Sequence, residues 1–548
     1  ADQLNNYATM QNEPNFFEAD LERFRNVKPF DVQRVANKYL SENKFVLTVL
    51  PKPGANGGFA PASLISNGTG SIADVKQNVN KHQRGLQNAE NVGGLYVPPV
   101  SKPTPKLVLP EIERHFLSNG LELLFVRRSQ LPILSLNLIL KTGGAANPLE
   151  KFGLSSLTAG LLNQGTETRT AIEISNELLK IGAQLGTGSG WDSSSIALLT
   201  LTKNIDRALE IFADVATNPI FPENEFETYR KRLLAALLQQ KDNPNAIAGS
   251  VFNSILYSKK HPYGNNLAGD EKTLEGLTQA DLGEFYATYY HPNNAVLIIV
   301  GDIKKDDLLS KLEATLANWQ PSEIPSINLP EITGREKSEV YLVDKPDSAQ
   351  SVITIGQVGA ARSTPDYFAL QVMNSLLGGQ FTSRVNMNLR EDKGYTYGAR
   401  TGFDWRLGAA PFAASASVQT AVTKESVTEL LRELNEIRGI RPITEKELAY
   451  NQQSIVRRYP SAFETAGQIA GQLAGLVIYD LPDSYFNDYI SSINAVTLTD
   501  ANRVAREYLK PEKMAIVIVG DRKTVEPRLR EIPDVEINFL DTEGQTVD

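Results

Sequence analysis

Apolar residues recur along this chain in two rhythms. SLNLILKT (135–142), IALLTLT (196–202) and NAVLIIVGD (294–302) are short, mostly apolar runs bounded by polar residues, and they predict strands. TAIEISNELLKIG (170–182) and EFETYRKRLLAALLQQ (225–240) carry apolar residues every three or four positions and predict amphipathic helices. Thr170 with Glu173, and Thr444 with Glu447, have capping-box spacing at helix starts. Strands arrive in neighbouring pairs with helices grouped after them, which predicts an α+β fold rather than a parallel wound sheet.

One pattern occurs three times. VANKYLSENKFVLTVLPK (35–52), FYATYYHPNNAVLIIVGD (285–302) and AREYLKPEKMAIVIVGD (505–521) each end a helix, turn briefly and run on as an apolar strand. Similar punctuation introduces each copy: VKPFDVQ, LTQADLG and VTLTDAN. Agreement across helix, turn and strand predicts tandem homologous modules of about 220 residues, each a mostly antiparallel sheet packed with helices. Two full modules are expected, at 111–330 and 331–548. Residues 1–55 are expected to be the final helix and strand of a preceding module. Between them, PGANGGFAPASLISNGTGS (53–71) and VPPVSKPTPKLVLP (97–110) mark 56–110 as a linker. The glycines of this linker lack the strand–Gly–Lys–helix context of a phosphate cradle.

Composition removes several functions. The chain has 548 residues, 41% hydrophobic and 22% charged, as expected of globular domains. A net charge of −9 without a Lys/Arg cluster argues against general nucleic-acid or anionic-membrane binding. The absence of cysteine excludes disulfides, zinc-thiolate sites and thiol nucleophiles. No apolar run is long enough to span a bilayer as a helix.

Chemistry then has few places to sit. In FGLSSLTAGLLNQGT (152–166), Leu154, Leu157 and Leu161 predict a helix ending at Gly165-Thr166, yet Ser156, Ala159 and Gly160 stand between them. Ser155 or Ser156 as a nucleophile would need a base within reach and an oxyanion hole, and no histidine or G-x-S-x-G elbow is near. A core-facing helix whose small residues pack closely against a sheet is the plainer expectation. The histidines, His82, His115, His261 and His291, show no ligand spacing, and the last two precede proline as turn residues do.

NGLELLFVRR (119–128), the frame GLSS…NQGT, HPYG (261–264), YYHPNNAVLIIVGD (289–302) and LLGGQFTSRVNMNLREDKGYTYG (376–398) together resemble the pitrilysin/insulinase family of zinc metallopeptidases. The resemblance runs over nearly the whole chain and implies half of a clamshell built from four such modules. In that family one half holds zinc through H-x-x-E-H, where two histidines on one helix face bind the metal and the glutamate acts as base. Here the matching positions are Ser156, Ala159 and Gly160, and LLAALLQQK (233–241), where a further acidic ligand would fall, contains no acid. The resemblance therefore implies no cofactor in this chain and zinc in a partner half, from the same precursor or a separate chain. It also implies extracytoplasmic residence, periplasmic in a bacterium.

LREDKGYTYGAR (389–400) carries the positive signal. Arg390 closes a helix, Gly394 offers its stop, and YTYGARTGF reads as a strand. In the family an Arg and a Tyr at the spacing of Arg390 and Tyr397 reach toward the zinc of the other half, holding substrate and the tetrahedral intermediate. The alternative is that Arg390 caps carbonyls at its helix end and Tyr397 packs as a strand aromatic. Strand alternation would put Tyr395 on the face of Tyr397. GGQFTSR (378–384) is expected to shape the turn before the helix. Three functions follow: a zinc-free half that walls a chamber for unfolded peptides, a catalytically inactive core-type subunit of a larger assembly, or a peptide-binding half working alone.

Overall fold

The computed structural model describes residues 2–40, 109, 111–533 and 535–547. They fall into two compact units, Ala1–Val97 and Pro98–Asp548. In the first, helices Asp2–Met10, Phe17–Asn26 and Pro29–Tyr39 are described. Tyr7 is their buried apolar side chain, and its hydroxyl donates to Asp20 at 2.9 Å. The strand expected within 41–52 and most of the expected linker lie outside the described residues.

The second unit is built on two six-stranded sheets. The first holds β1 (Glu113–Phe116), β2 (Glu122–Arg127), β3 (Ile133–Leu140), β4 (Gln184–Ser189), β5 (Ser194–Leu201) and β6 (Ala295–Gly301), in the order β1-β2-β6-β3-β5-β4. The second holds β7 (Glu339–Asp344), β8 (Gln350–Val358), β9 (Thr396–Phe403), β10 (Pro411–Gln419), β11 (Ala515–Gly520) and β12 (Ile537–Leu540), in the order β12-β7-β11-β8-β10-β9. The run β2-β6-β3-β5-β4 has the connectivity of β7-β11-β8-β10-β9, so the repeat read in the sequence is a repeat of topology. Each sheet is mostly antiparallel; β2–β6, β7–β11 and β7–β12 are the parallel pairs. The fold is α+β, with helices laid against both sheets.

The strands β6 and β11 are buried at every position, which explains why they read as unbroken apolar runs. Their alternate residues serve two cores. Leu297 and Ile299 join the helices of their own half, and so do Ile516 and Ile518. The opposite faces are covered by exchange. Helix Ala466–Tyr479, from the second half of the chain, sets Ile469, Ala470 and Leu473 against Val296, Ile298 and Val300. Helix Pro244–Tyr257, from the first half, sets Ile247, Val251 and Phe252 against Val517 and Val519. Each Val, Ile, Leu or Phe side chain so buried contributes roughly 1.5–3 kcal/mol. Neither sheet is therefore completed by its own stretch of chain. Among the described residues no helix is long and apolar enough to cross a membrane.

Candidate functional site

The helix Leu154–Leu161 begins after Gly153 and buries Leu154, Leu157 and Leu161, as its spacing predicts. Its frame is locked at the far end, where Asp214 accepts hydrogen bonds from Thr166 (2.6 Å), Thr168 (2.7 Å) and Arg169 (2.6 Å). Burial alone would raise the Asp214 pKa, but these donors, with Asn218, outweigh it and hold the carboxyl below its ordinary value.

At the three positions matching a metal motif, nothing fits zinc. Ser156 donates its hydroxyl to the Leu267 carbonyl at 3.0 Å, and Ala159 is fully buried without a polar atom. Gly160 faces Tyr229 of the helix Glu223–Gln240. A Cβ at residue 160 would come within 2.6 Å of the tyrosine Cζ and closer still to its hydroxyl. The place of a second histidine is thus filled by an aromatic ring. Gly160 itself packs against a helix there, while the helix that carries it also lies against β4 and β5, as the sequence suggested. Leu233, Leu234 and Leu237, in the stretch without acid, pack against the core. Among the described residues no three His, Cys, Asp or Glu side chains come together as a metal-holding group.

His261 and His291 serve turns. The Nδ1 of His261 accepts from the Tyr263 backbone at 3.0 Å, and burial, aided by the charge of Arg406, lowers its pKa. The ring nitrogens of His291 bond the carbonyls of Gln320 (2.9 Å) and Ala287 (2.7 Å). His115 lies 3.6 Å from Glu113, and His82 is outside the described residues.

The second half keeps an open site. After helix Tyr367–Asn374 the chain passes through a π-helical turn, Ser375–Gly379, and a second one, Met387–Asp392, carries Arg390. Such widened turns are frequent at functional sites. Gly394, at φ +67°, ends the segment in the left-handed region that favours glycine. The Arg390 guanidinium lies 4.7 Å from the centre of the Phe381 ring, and its Nε is 3.2 Å from Glu391. Among the described residues it bonds no helix-end carbonyl, so the capping alternative lacks its contact.

Tyr397 sits on β9, an edge strand. Opposite β10, Ala399 pairs with Ala416 but Thr396 pairs with Val418, so a bulge falls at Tyr397–Gly398. The bulge leaves Tyr397 89% exposed, which removes the packed-aromatic alternative. Strand β9 begins only at Thr396, so alternation does not relate Tyr395 to Tyr397; Tyr397, and not Tyr395, lines the adjoining groove. That groove, about 550 Å³, runs between β9–β10 and the helix Pro244–Tyr257, lined by Asn245, Asn253, Gln350, Tyr397, Arg400 and Ser415. Arg390 is not among its lining residues, and no hydrogen bond joins it to Tyr397.

Two contributors were not legible beforehand. Arg400 is exposed in the groove and makes no ion pair among the described residues. Asn386, buried, accepts from the Ala399 backbone at 3.1 Å and donates to the Phe381 carbonyl at 2.7 Å. It ties the strand beside the bulge to the ring that carries Arg390. A buried polar residue inside FTSRVNMN was the signal available for it.

An α+β fold with a repeated sheet topology, Gly160 packed on Tyr229 in its first half and an exposed tyrosine on an edge strand of its second sheet defines the class: a metallopeptidase-type fold. The comparisons give the family. Residues 125–271 match the model "Insulinase (Peptidase family M16)", and residues 276–455 match "Peptidase M16 inactive domain". The chain belongs to the insulinase family, M16. An "Uncharacterized zinc protease" of Rickettsia felis is 25% identical over 360 residues, 63% of this chain and 86% of that protein. The "Non-peptidase homolog YmxG" of Helicobacter pylori is 24% identical over 405 residues, 72% and 90% of the two chains. The crystal structure of a peptidase M16 inactive domain from Pseudomonas fluorescens superposes with a TM-score of 0.70 at 26% identity, covering 75% of this chain and 98% of the other.

Proposed function

We propose that this chain is the zinc-free half of a peptide-degrading M16 peptidase, walling the peptide chamber and bringing Arg390 and Tyr397 to substrate opposite a zinc-bearing half. The reading rests on one contrast inside the molecule. The metal position is closed by Tyr229, whereas Tyr397 is turned outward by a bulge onto an open polar groove. Bond cleavage then occurs at zinc held elsewhere, and this chain supplies donors. Tyr397 offers one rigid hydroxyl and Arg390 a permanently charged fork. Donors aimed at developing oxyanion charge are worth about 3–4 kcal/mol. The present contacts of Arg390 are weaker: a partly exposed ion pair is worth about 0–1 kcal/mol and an exposed cation–π contact about 0.5–1 kcal/mol. Turning the guanidinium toward a substrate is thus inexpensive against a charged hydrogen bond of about 1.5–3 kcal/mol. Arg400 and the groove amides suit the polar backbone of an unfolded peptide.

A second reading, a catalytically inactive core-type subunit, is favoured by the name of the Helicobacter pylori relative, a non-peptidase homolog. One assay separates the two. The chain is mixed with a zinc-bearing M16 half and cleavage of an unfolded peptide is followed. Arg390→Ala is expected to lower the rate tens-fold or more, and Tyr397→Phe by about tenfold. Unchanged rates in both variants would leave the scaffold reading.

A further inference from the structure

The groove beside Tyr397 is electrostatically one-sided. Strand alternation puts Ala399 and Thr401 on one face of β9, both buried, and Arg400 between them on the other face, exposed in the groove. The buried neighbours fix the backbone that carries it. The Ala399 amide donates to Asn386 at 3.1 Å, and the Thr401 hydroxyl donates to Asn374 at 2.8 Å. Gly378 closes on the same place, where a Cβ would collide with the Thr401 backbone. Across the ladder Arg400 pairs with Ser415. Among the described residues that line the groove, Arg400 alone carries a charge; Asn245, Asn253, Gln350, Thr396 and Ser415 supply neutral amides and hydroxyls. No carboxylate there neutralises the guanidinium, although the chain has 64 acidic against 55 basic residues.

We infer that this groove reads a carboxylate on the bound peptide, with Arg400 as the specificity-determining residue. That a peptide is the occupant rests on the function proposed above. A carboxylate entering a groove of neutral amides and hydroxyls gives up hydration that those groups repay only in part. The planar guanidinium fork repays the rest with two parallel charged hydrogen bonds. An asparagine in the same place makes neutral bonds alone, and a lysine meets like charge. The groove therefore ranks peptides in the order acidic, neutral, basic. An unfolded peptide presents a carboxylate either on an Asp or Glu side chain or at its C-terminal end, and both offer the same pair of oxygens. Arg390 and Tyr397 take hold of any backbone, whereas Arg400 selects among sequences.

The test titrates the full chain into dansyl-labelled unstructured peptides and reads their anisotropy at low ionic strength. One peptide has a central Asp and an amidated C-terminus, a second has Asn instead, and a third has Lys. A fourth is the Asn peptide with a free C-terminal carboxylate. A carboxylate-bearing peptide is expected to bind about tenfold tighter than the amidated Asn peptide, and the Lys peptide more weakly still. Tighter binding of the Asp peptide identifies an acidic side chain as the group read; tighter binding of the fourth identifies the chain end. Arg400→Gln should abolish the difference, and Arg400→Glu should reverse the order so that the Lys peptide binds best, a reversal no structural role produces. Equal binding of all four peptides, binding of none, or an order that survives both variants overturns the inference. The proposed function is judged separately, in the mixture with a zinc-bearing half. Cleavage there that depends on Arg390 but ignores the Asp-for-Asn change overturns this inference alone. A mixture that cleaves nothing, while the chain ranks the four peptides as expected, overturns that function alone.

Discussion

Strands β4 and β9 occupy the same place in the two sheets: each is the outermost strand, paired to the strand that follows it. β4 runs as QLGTGS in unbroken register with β5, with neither a cation nor an aromatic. β9 runs as TYGARTGF, is bulged, and turns Tyr397 and Arg400 to a groove. The helices preceding them diverge likewise. Leu154–Leu161 is sealed by Tyr229, whereas its counterpart Tyr367–Asn374 runs on into a π-helical turn, and a second such turn carries Arg390. One topology has thus packed its helix tightly at Gly160 in the first copy and set an exposed tyrosine on its edge strand in the second. Whether a site survives in a repeat is decided by what packs on the frame.

Filling the closed copy further should cost most. Gly160→His forces a side chain into the Tyr229 ring and is expected to lower stability by about 1–3 kcal/mol, read by thermal or denaturant unfolding. Adding Tyr229→Ala should recover part of that loss; a single variant as stable as the parent would mean that Tyr229 does not fill the position. In the open copy, Asn386→Ala leaves the Ala399 amide without its partner and is expected to cost about 1–3 kcal/mol. With the zinc-bearing half present it should also reduce peptide cleavage several-fold without touching Arg390 or Tyr397. Loss of stability without loss of rate would make Asn386 structural only.

The smallest effect concerns pH and separates the copies electrostatically. Because the folded-state pKa of Asp214 lies below its ordinary value of 3.8, its contribution to stability is present above that value. It is lost as pH falls through the lowered folded-state value. Asp214→Asn should therefore flatten the acid side of the stability profile, most visibly through protection of the Thr166–Arg169 turn in amide exchange. An unchanged profile would remove Asp214 as the lock of the closed frame.

Much of this was readable in one dimension. The strands, the amphipathic helices and the capping boxes at Thr170 and Thr444 follow from local patterning, because period and cap chemistry act over a few residues. The emptiness of Ser156, Ala159 and Gly160 was equally plain, since a missing imidazole needs no coordinates. Tyr229 as the filler was not, because it lies on another helix and meets Gly160 only after both have packed. The bulge at Tyr397–Gly398 also escaped, as alternation assumes the regular pairing that a bulge interrupts. Nor did any pattern announce the exchange of Pro244–Tyr257 for Ala466–Tyr479. Both are apolar helices, and nothing local says which sheet a helix will cover.

By itself, then, the order of residues determined the elements, their repetition and the loss of ligand chemistry, all of which depend on neighbours along the chain. Tertiary structure alone decided which of the two equivalent edge strands is bulged with an exposed tyrosine, what packs on Gly160 and how the halves share helices. Those are contacts between residues far apart in sequence, selected by the shape of the space left when the sheets have formed.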